Sequence, residues 1–192
     1  MTTFNFSQVK ITNYELEKMG DVYPNMRAPI VYVDDGRITL APMDWSMHIR
    51  GSEDPKVQKQ YSTFNAVSEE IDTKKTYREQ WVERKRCIIP AIGFYEHRVE
   101  RDSKRKVYIR PSEKGILCIA GLWDDYRSFA GPAKCFTMLT CVPNEQMKRI
   151  HGRMPVIIQN WRAYLDPRTT PEQAKTLCKP FGGQFDIDYA HF

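Results

Sequence analysis

Ile30-Val31-Tyr32-Val33-Asp34-Asp35-Gly36-Arg37-Ile38-Thr39-Leu40 consists of two β-branched, apolar runs on either side of an Asp-Gly pair. Such a pair accepts the positive φ angles of a tight two-residue turn, so the stretch predicts a β-hairpin. Downstream, Cys87-Ile88-Ile89, Gly93-Phe94-Tyr95, Lys106 to Ile109, Ile116 to Leu122, Cys135 to Cys141 and Val156 to Ile158 are further short β-rich runs, separated by Gly, Pro or charged turns. Between hairpin and runs, Met47 to Gln60 turns polar around Gly51, Ser52, Asp54 and Pro55, which predicts an irregular loop. Ser68-Glu69-Glu70 opens a charged segment to Lys85 whose apolar positions, Ile71, Tyr77, Trp81 and Val82, predict an amphipathic helix. Asn160 is placed to cap a helix over Trp161 to Leu165, and Thr170 followed by Pro171 opens another to about Cys178. Strands outnumber helices and do not alternate with them. The expected class is therefore α+β with a bent, mostly antiparallel sheet and peripheral helices.

The chain has 192 residues, 41% of them apolar and 12% aromatic, enough for one core without metal or disulfide staples, so residues 1–192 read as one domain. Five cysteines (Cys87, Cys118, Cys135, Cys141, Cys178) are an odd number with no C-x-x-C pair, which argues against disulfides and structural zinc. Cys87 and Cys118 stand in apolar runs and read as small buried hydrophobes. The leading residues lack the apolar core of a secretory signal, and no apolar run reaches the roughly 18 residues that span a bilayer. A cytoplasmic monomer without cofactor or metal is expected. The net charge of +5 is a moderate excess. Basic residues crowd Lys74 to Arg86, Arg98 to Arg110 and Lys148 to Arg153, which suits either solvated faces or contacts to an anionic polymer.

Four separated segments put polar, chemically capable residues at the ends of apolar strands: Phe64-Asn65-Ala66, Gly93-Phe94-Tyr95-Glu96-His97, Ala120-Gly121-Leu122-Trp123 and Ile150-His151-Gly152-Arg153-Met154-Pro155. Singly, each has an ordinary reading: Glu96 as a rim carboxylate, His151 as a satisfied loop histidine. Together and in this order they resemble the SOS-response-associated peptidase (SRAP) family. Its pattern runs Asn-Ala-Arg-x-Glu, then Arg-Cys-x-x-Pro-x-x-Gly-Phe-Tyr-Glu-Trp, then Ala-Gly-Leu-Trp, then Ile-His-x-Arg-Met-Pro. The second appears here as Arg86 to His97 and the last is matched throughout by Ile150 to Pro155. Asn25-Met26-Arg27-Ala28-Pro29 is similar to the family's Asn-x-Ala-Pro with one extra residue, and Trp45 falls where a Trp-Gly pair is usual. The resemblance runs from about Tyr23 to Ile158.

The resemblance implies a pseudo-barrel with a groove for single-stranded DNA, and processing of abasic sites in the DNA damage (SOS) response. In the family, the amine and thiol of a leading cysteine attack the ring-opened aldehyde. They form a Schiff base and then a stable thiazolidine. The surrounding asparagine, glutamate and histidine fall here on Asn65, Glu96 and His151. The chemistry suits them. An α-amine near pKa 7.8 is roughly a quarter neutral at cytosolic pH, against about 0.1% for lysine, so a chain terminus is a good imine-forming nucleophile. Glu96 can shuttle the protons of carbinolamine formation and dehydration if partial burial raises its pKa. His151 can protonate the sugar oxygen released on ring opening, and the Asn65 amide can position the amine.

Three departures qualify the expectation. The family begins Met-Cys-Gly-Arg and this sequence begins Met1-Thr2-Thr3-Phe4, so the cysteine position falls on Thr2, or on Thr3 if Phe6-Ser7-Gln8 is matched to Phe-Ser-Gln. A hydroxyl is a far weaker ring-closing nucleophile than a thiolate, so the expected linkage stops at a reversible Schiff base, with β-elimination of the strand as a sequel. The arginine of Asn-Ala-Arg is Val67, and the tryptophan after Tyr-Glu is His97. Arg153, with Arg27 and Lys148, could restore part of the phosphate-binding charge. Trp45 reads equally as a stacking face for a base or as a core aromatic. Two other readings stay open: a noncovalent binder of single-stranded or damaged DNA, and a self-processing peptidase. Divergent copies of this kind suit a phage or prophage.

Overall fold

A computed structural model of the chain describes residues 3–6, 9–51, 58, 61–100 and 103–189. The predicted hairpin is present as β3 (Arg27–Asp34) and β4 (Arg37–Trp45), with Val33 opposite Ile38 and Asp34 opposite Arg37. Its turn residues have φ of 46° at Asp35 and 75° at Gly36. These left-handed values are what the Asp-Gly pair supplies at low steric cost.

Three more strands close this hairpin into a five-stranded barrel. β6 (Arg86–Ala91) pairs antiparallel with β3, and β9 (Leu117–Ser128) pairs antiparallel with β6. β10 (Gly131–Cys141) returns along β9 and then runs parallel to β4, with Cys135 opposite Asp44 and Phe136 opposite Trp45. That parallel contact completes the circuit. Ala28, Ile30, Tyr32, Met43, Cys87, Trp123 and Phe136 come from all five strands at alternating positions and form one cluster, so they fill the barrel interior. At Gly121 an added Cβ would lie 2.7 Å from the Thr137 carbonyl oxygen and 2.9 Å from Cys87 Sγ. Glycine in the Ala-Gly-Leu-Trp segment is therefore what lets three barrel strands approach.

A larger apolar cluster wraps the barrel and seats the helices. α1 (Asn13–Met19) follows the small hairpin β1 (Thr3–Phe6) and β2 (Val9–Thr12), and Thr12 and Glu15 form a capping box at its start. α2 (Lys75–Val82) buries Tyr77 and Trp81. The expected helix over 68–85 is shorter than its composition predicts. Ser68–Glu70 forms a single 3₁₀ turn, Ile71 drops fully into the core, and the α-helix starts only at Lys75. α3 (Trp161–Leu165) is capped by Asn160, and α4 (Pro171–Leu177) by a Thr170–Gln173 capping box with proline at its first turn, as the sequence predicts. Arg86, 2% exposed, ties α3 to β6 by donating to the carbonyls of Tyr164, Asp166 and Thr169.

Outside the barrel, β7 (Phe94–Glu100), β8 (Ser103–Pro111) and β12 (Phe185–Asp188) form a three-stranded antiparallel sheet. Two short strands attach to the far end of β10: β5 (Asn65–Val67) runs parallel to it and β11 (Met154–Pro155) antiparallel. The Val156 to Ile158 run is not an extended strand; it makes a single bridge, Ile119 with Ile157. The class is α+β with a mostly antiparallel barrel. Its closure, though, is parallel. The polar stretch over 47–60 lies largely outside the described residues, as does Thr2.

Candidate active site

The end of β10 gathers the segments singled out in the sequence. In the parallel register, Met138 faces Asn65 and Thr140 faces Val67; on the other side, Cys141 faces Met154 and Thr140 faces Pro155. β10 thus holds the Asn65 segment on one flank and the His151 to Pro155 segment on the other. Glu96 arrives from the outer sheet. It follows Phe94, whose ring packs edge-on against Phe185 at 5.8 Å, by two residues on the same face of β7.

Glu96 Oε2 lies 3.4 Å from His151 Nδ1, with side-chain exposures of 23% and 43%, so the pair sits at a rim and not in the core. Glu96 Oε1 accepts the backbone N–H of His97 at 2.9 Å. The imidazole is bracketed by Arg153, whose backbone N–H and carbonyl both lie 3.2 Å from Nδ1. With a bare Nδ1 the ring accepts the Arg153 N–H; with a protonated Nδ1 it donates to Glu96 or to the Arg153 carbonyl. The nitrogen can therefore change protonation state without losing a partner, a useful property in a proton relay.

Arg153 is in turn clamped. Its two terminal nitrogens donate to Glu69 at 3.1 Å and 2.6 Å, and one also reaches the Thr140 carbonyl at 2.7 Å. Glu69 also accepts the Val142 N–H at 3.0 Å. Partial burial works to raise the Glu69 carboxyl, but the Arg153 guanidinium and the Val142 amide outweigh it and hold the group below its ordinary value. On its own segment, Ser68-Glu69-Glu70, Glu69 reads only as the opening of a helix. The signal was present in the last position of Asn-Ala-Arg-x-Glu, which Glu69 fills two residues after Val67.

Asn65 is exposed on β5, and its carbonyl accepts the Tyr77 hydroxyl at 3.2 Å. It shares the β10 end with His151 and is not part of the Glu96–His151 contact. Trp45 supports it from beneath: the indole N–H donates to the Phe64 carbonyl at 2.8 Å, and the ring lies parallel to Phe136 with centroids 6.0 Å apart. Trp45 is thus tied into the interior cluster while remaining partly exposed. Arg27 neighbours it at the barrel rim, paired with Asp44 at 2.9 Å and 65% exposed. Lys148 sits on the exposed 3₁₀ turn before His151, paired with Glu145. Cys141 lies at the end of β10 opposite Met154, within electrostatic range of Glu69 and Arg153, but burial pushes its thiol up to about 11. Cys87, Cys118, Cys135 and Cys141 are buried, and burial pushes the Cys118 and Cys135 thiols up to about 12. Among the described residues no group of three or more His, Cys, Asp or Glu side chains is arranged to hold a metal, and no helix is long and apolar enough to cross a membrane.

The family described as SOS response associated peptidase (SRAP) matches residues 2–189. The abasic site processing protein YoqW of Bacillus subtilis is 31% identical over 183 residues, covering 93% of this chain and 80% of its own length. YoaM of the same organism, also named an abasic site processing protein, is 33% identical over 173 residues, covering 87% and 74%. The abasic site processing protein HMCES of Xenopus tropicalis is 30% identical over 145 residues, 65% of this chain and 43% of its own. Among solved structures, a Bordetella bronchiseptica protein superposes with a TM-score of 0.78 at 24% identity, over 89% of this chain and 87% of its own. One from Bacteroides thetaiotaomicron gives 0.74 at 23%, over 94% and 76%. These two likenesses show the fold. With a family match over nearly its whole length, the chain belongs to the SOS response associated peptidase (SRAP) family.

Proposed function

We propose that the protein processes abasic sites in single-stranded DNA, using its amino-terminal amine as nucleophile and Asn65, Glu96 and His151 as its supporting groups. The observation that carries the reading is the Glu96–His151 pair at 3.4 Å on the rim, in a chain whose relatives are named abasic site processing proteins. An abasic sugar opens to an aldehyde. The neutral amine adds to its carbonyl carbon, giving a carbinolamine, and loss of water gives an imine. Each stage moves one proton, and a carboxylate beside an imidazole can accept it and return it. His151, with a ring nitrogen exchanging between Glu96 and the Arg153 backbone, supplies the proton to the sugar oxygen as the ring opens.

Thr2 and Thr3 stand where the family resemblance puts cysteine, and Cys87, Cys118, Cys135 and Cys141 are buried. The linkage is therefore an imine that hydrolyses, or that eliminates the 3′ strand, and it does not close to a thiazolidine. Phosphate contacts fall to Arg27, Lys148 and the half-exposed Arg153, with Trp45 at the rim beside Asn65 as the stacking surface. Incubation with an abasic single strand and borohydride should give a covalent adduct on a denaturing gel, and heating the same mixture without reductant should release free protein. No adduct with borohydride overturns the enzymatic reading and leaves a noncovalent binder; an adduct that survives heating without reductant overturns the reversible linkage.

A further inference from the structure

The outer sheet carries a feature that this chemistry does not use. Successive side chains of a strand alternate between faces, so Phe94, Glu96 and Arg98 of β7 share one face with their register partners Ile109, Val107 and Arg105 of β8. Burial follows that row: Val107 and Ile109 are fully buried, Glu96 reaches the rim, and Arg105 is exposed. Arg98 lies two residues beyond Glu96, roughly 7 Å along the strand. It stands directly opposite Arg105 in the register, which puts the two guanidinium-bearing side chains next to each other on this face. The third strand adds an aromatic ring. Ile187 of β12 faces Ile109, and Tyr189, two residues on, is 42% exposed with the Arg98 guanidinium 5.7 Å from its ring centroid. Two guanidiniums and a tyrosine ring therefore extend outward from the Glu96–His151 pair on one face.

We propose that Arg98, Arg105 and Tyr189 form a subsite for the nucleotide that flanks the abasic sugar, its base stacked on Tyr189 and its phosphate held by the two guanidiniums. The inference rests on the proposed function and names where the intact strand runs. Binding to single strands combines such a basic track with an aromatic platform, and stacking tolerates any base because every base has a π-face. With Val67 and His97 in place of the family's arginine and tryptophan, the outer sheet supplies cation and ring from elsewhere in the chain.

The test is fluorescence anisotropy of the full chain with two labelled single strands, one of thymidines and one of the same length whose residues all lack bases. Tyr189→Ala should weaken the thymidine strand by about 5- to 150-fold, the range that loss of one stacked base gives, and leave the base-free strand unchanged. Tyr189→Phe should bind both strands as the unaltered chain does. The double variant Arg98→Ala, Arg105→Ala should weaken both strands and flatten the plot of log affinity against log salt by about 0.7, the release expected from one neutralised phosphate on a single strand. Unaltered thymidine binding in Tyr189→Ala, or an equal loss on both strands, overturns the stacking role. An unchanged salt slope overturns the phosphate role. If the unaltered chain forms the borohydride adduct while these variants behave as it does, the subsite alone fails; if it binds neither strand, the function fails with it.

Discussion

Glu96 and Glu69 are both carboxylates near the end of β10, and their surroundings give them different work. Glu96 contacts His151 and the His97 N–H, and among the described residues no lysine or arginine is paired with it in the manner of Glu69. Glu96→Gln keeps the size and removes the proton acceptor, so adduct formation should slow by about 10²- to 10⁴-fold, the usual contribution of general acid–base catalysis, with little change in stability. A time course of borohydride trapping with a urea melt beside it checks both. Glu69 acts one step removed. It fixes the Arg153 guanidinium, and the Arg153 backbone brackets His151 Nδ1. Glu69→Ala should slow trapping by about 10- to 100-fold through misplacement of the imidazole. Glu69→Gln, which still offers a carbonyl to the guanidinium, should recover part of that loss. An equal loss in both variants would point to a role for the charge itself. At this scale the motifs singled out Glu96 and His151, far apart in the chain, and the structure brings the two side chains to 3.4 Å. The sequence was silent about Trp45, because residue type alone does not tell an indole that donates to the Phe64 carbonyl from one that faces a base.

The elements were legible where a local rule dictates them. Asp35-Gly36 fixes the β3–β4 turn, Thr170-Pro171 starts α4, and Asn160 starts α3. The rule fails when tertiary burial overrides local pattern. Ile71 is drawn into the core and breaks the segment over 68–85 into a 3₁₀ turn and a later helix. The β7–β8 hairpin is longer than its apolar runs because its outer half alternates charged residues, which read as loop when only hydrophobic periodicity is followed. Gly121 shows the reverse, a motif residue whose reason is packing. Gly121→Ala puts a methyl group against the Thr137 carbonyl and Cys87 and should destabilise the protein by about 1 to 3 kcal/mol in a urea titration. A variant as stable as the parent would mean the barrel strands can separate there at no cost.

The barrel as a whole was legible only through the family resemblance, since the parallel contact of β4 with β10 joins segments some ninety residues apart with no local signature. Within that closed body, Asp124 of β9 is buried and hydrogen-bonded by Arg50, Lys85 and Gln80. Burial alone would raise its carboxyl, but those three partners outweigh it and hold the pKa at about 2. A carboxyl depressed in the folded state contributes its full stability above its unfolded value near 3.9 and loses it as pH falls through about 2. The contribution is about 2 kcal/mol, and the loss should appear as a falling midpoint in urea melts between about pH 4 and pH 2. Asp124→Asn should remove that part of the pH dependence and cost about 3 kcal/mol at neutral pH, because Arg50 and Lys85 lose a shared partner. A variant with the parent's acid profile would place the dependence on other groups.

The whole account turns on which nitrogen meets the aldehyde. Peptide mapping by mass spectrometry of the borohydride-trapped adduct with an abasic single strand locates it directly. The expected result is a sugar-derived mass on the α-amine of the amino-terminal peptide, formed far more slowly in Glu96→Gln and seen only at background in a control whose strand is undamaged. A mass carried by a lysine side chain, or trapping that persists when the α-amine is acetylated, would contradict it.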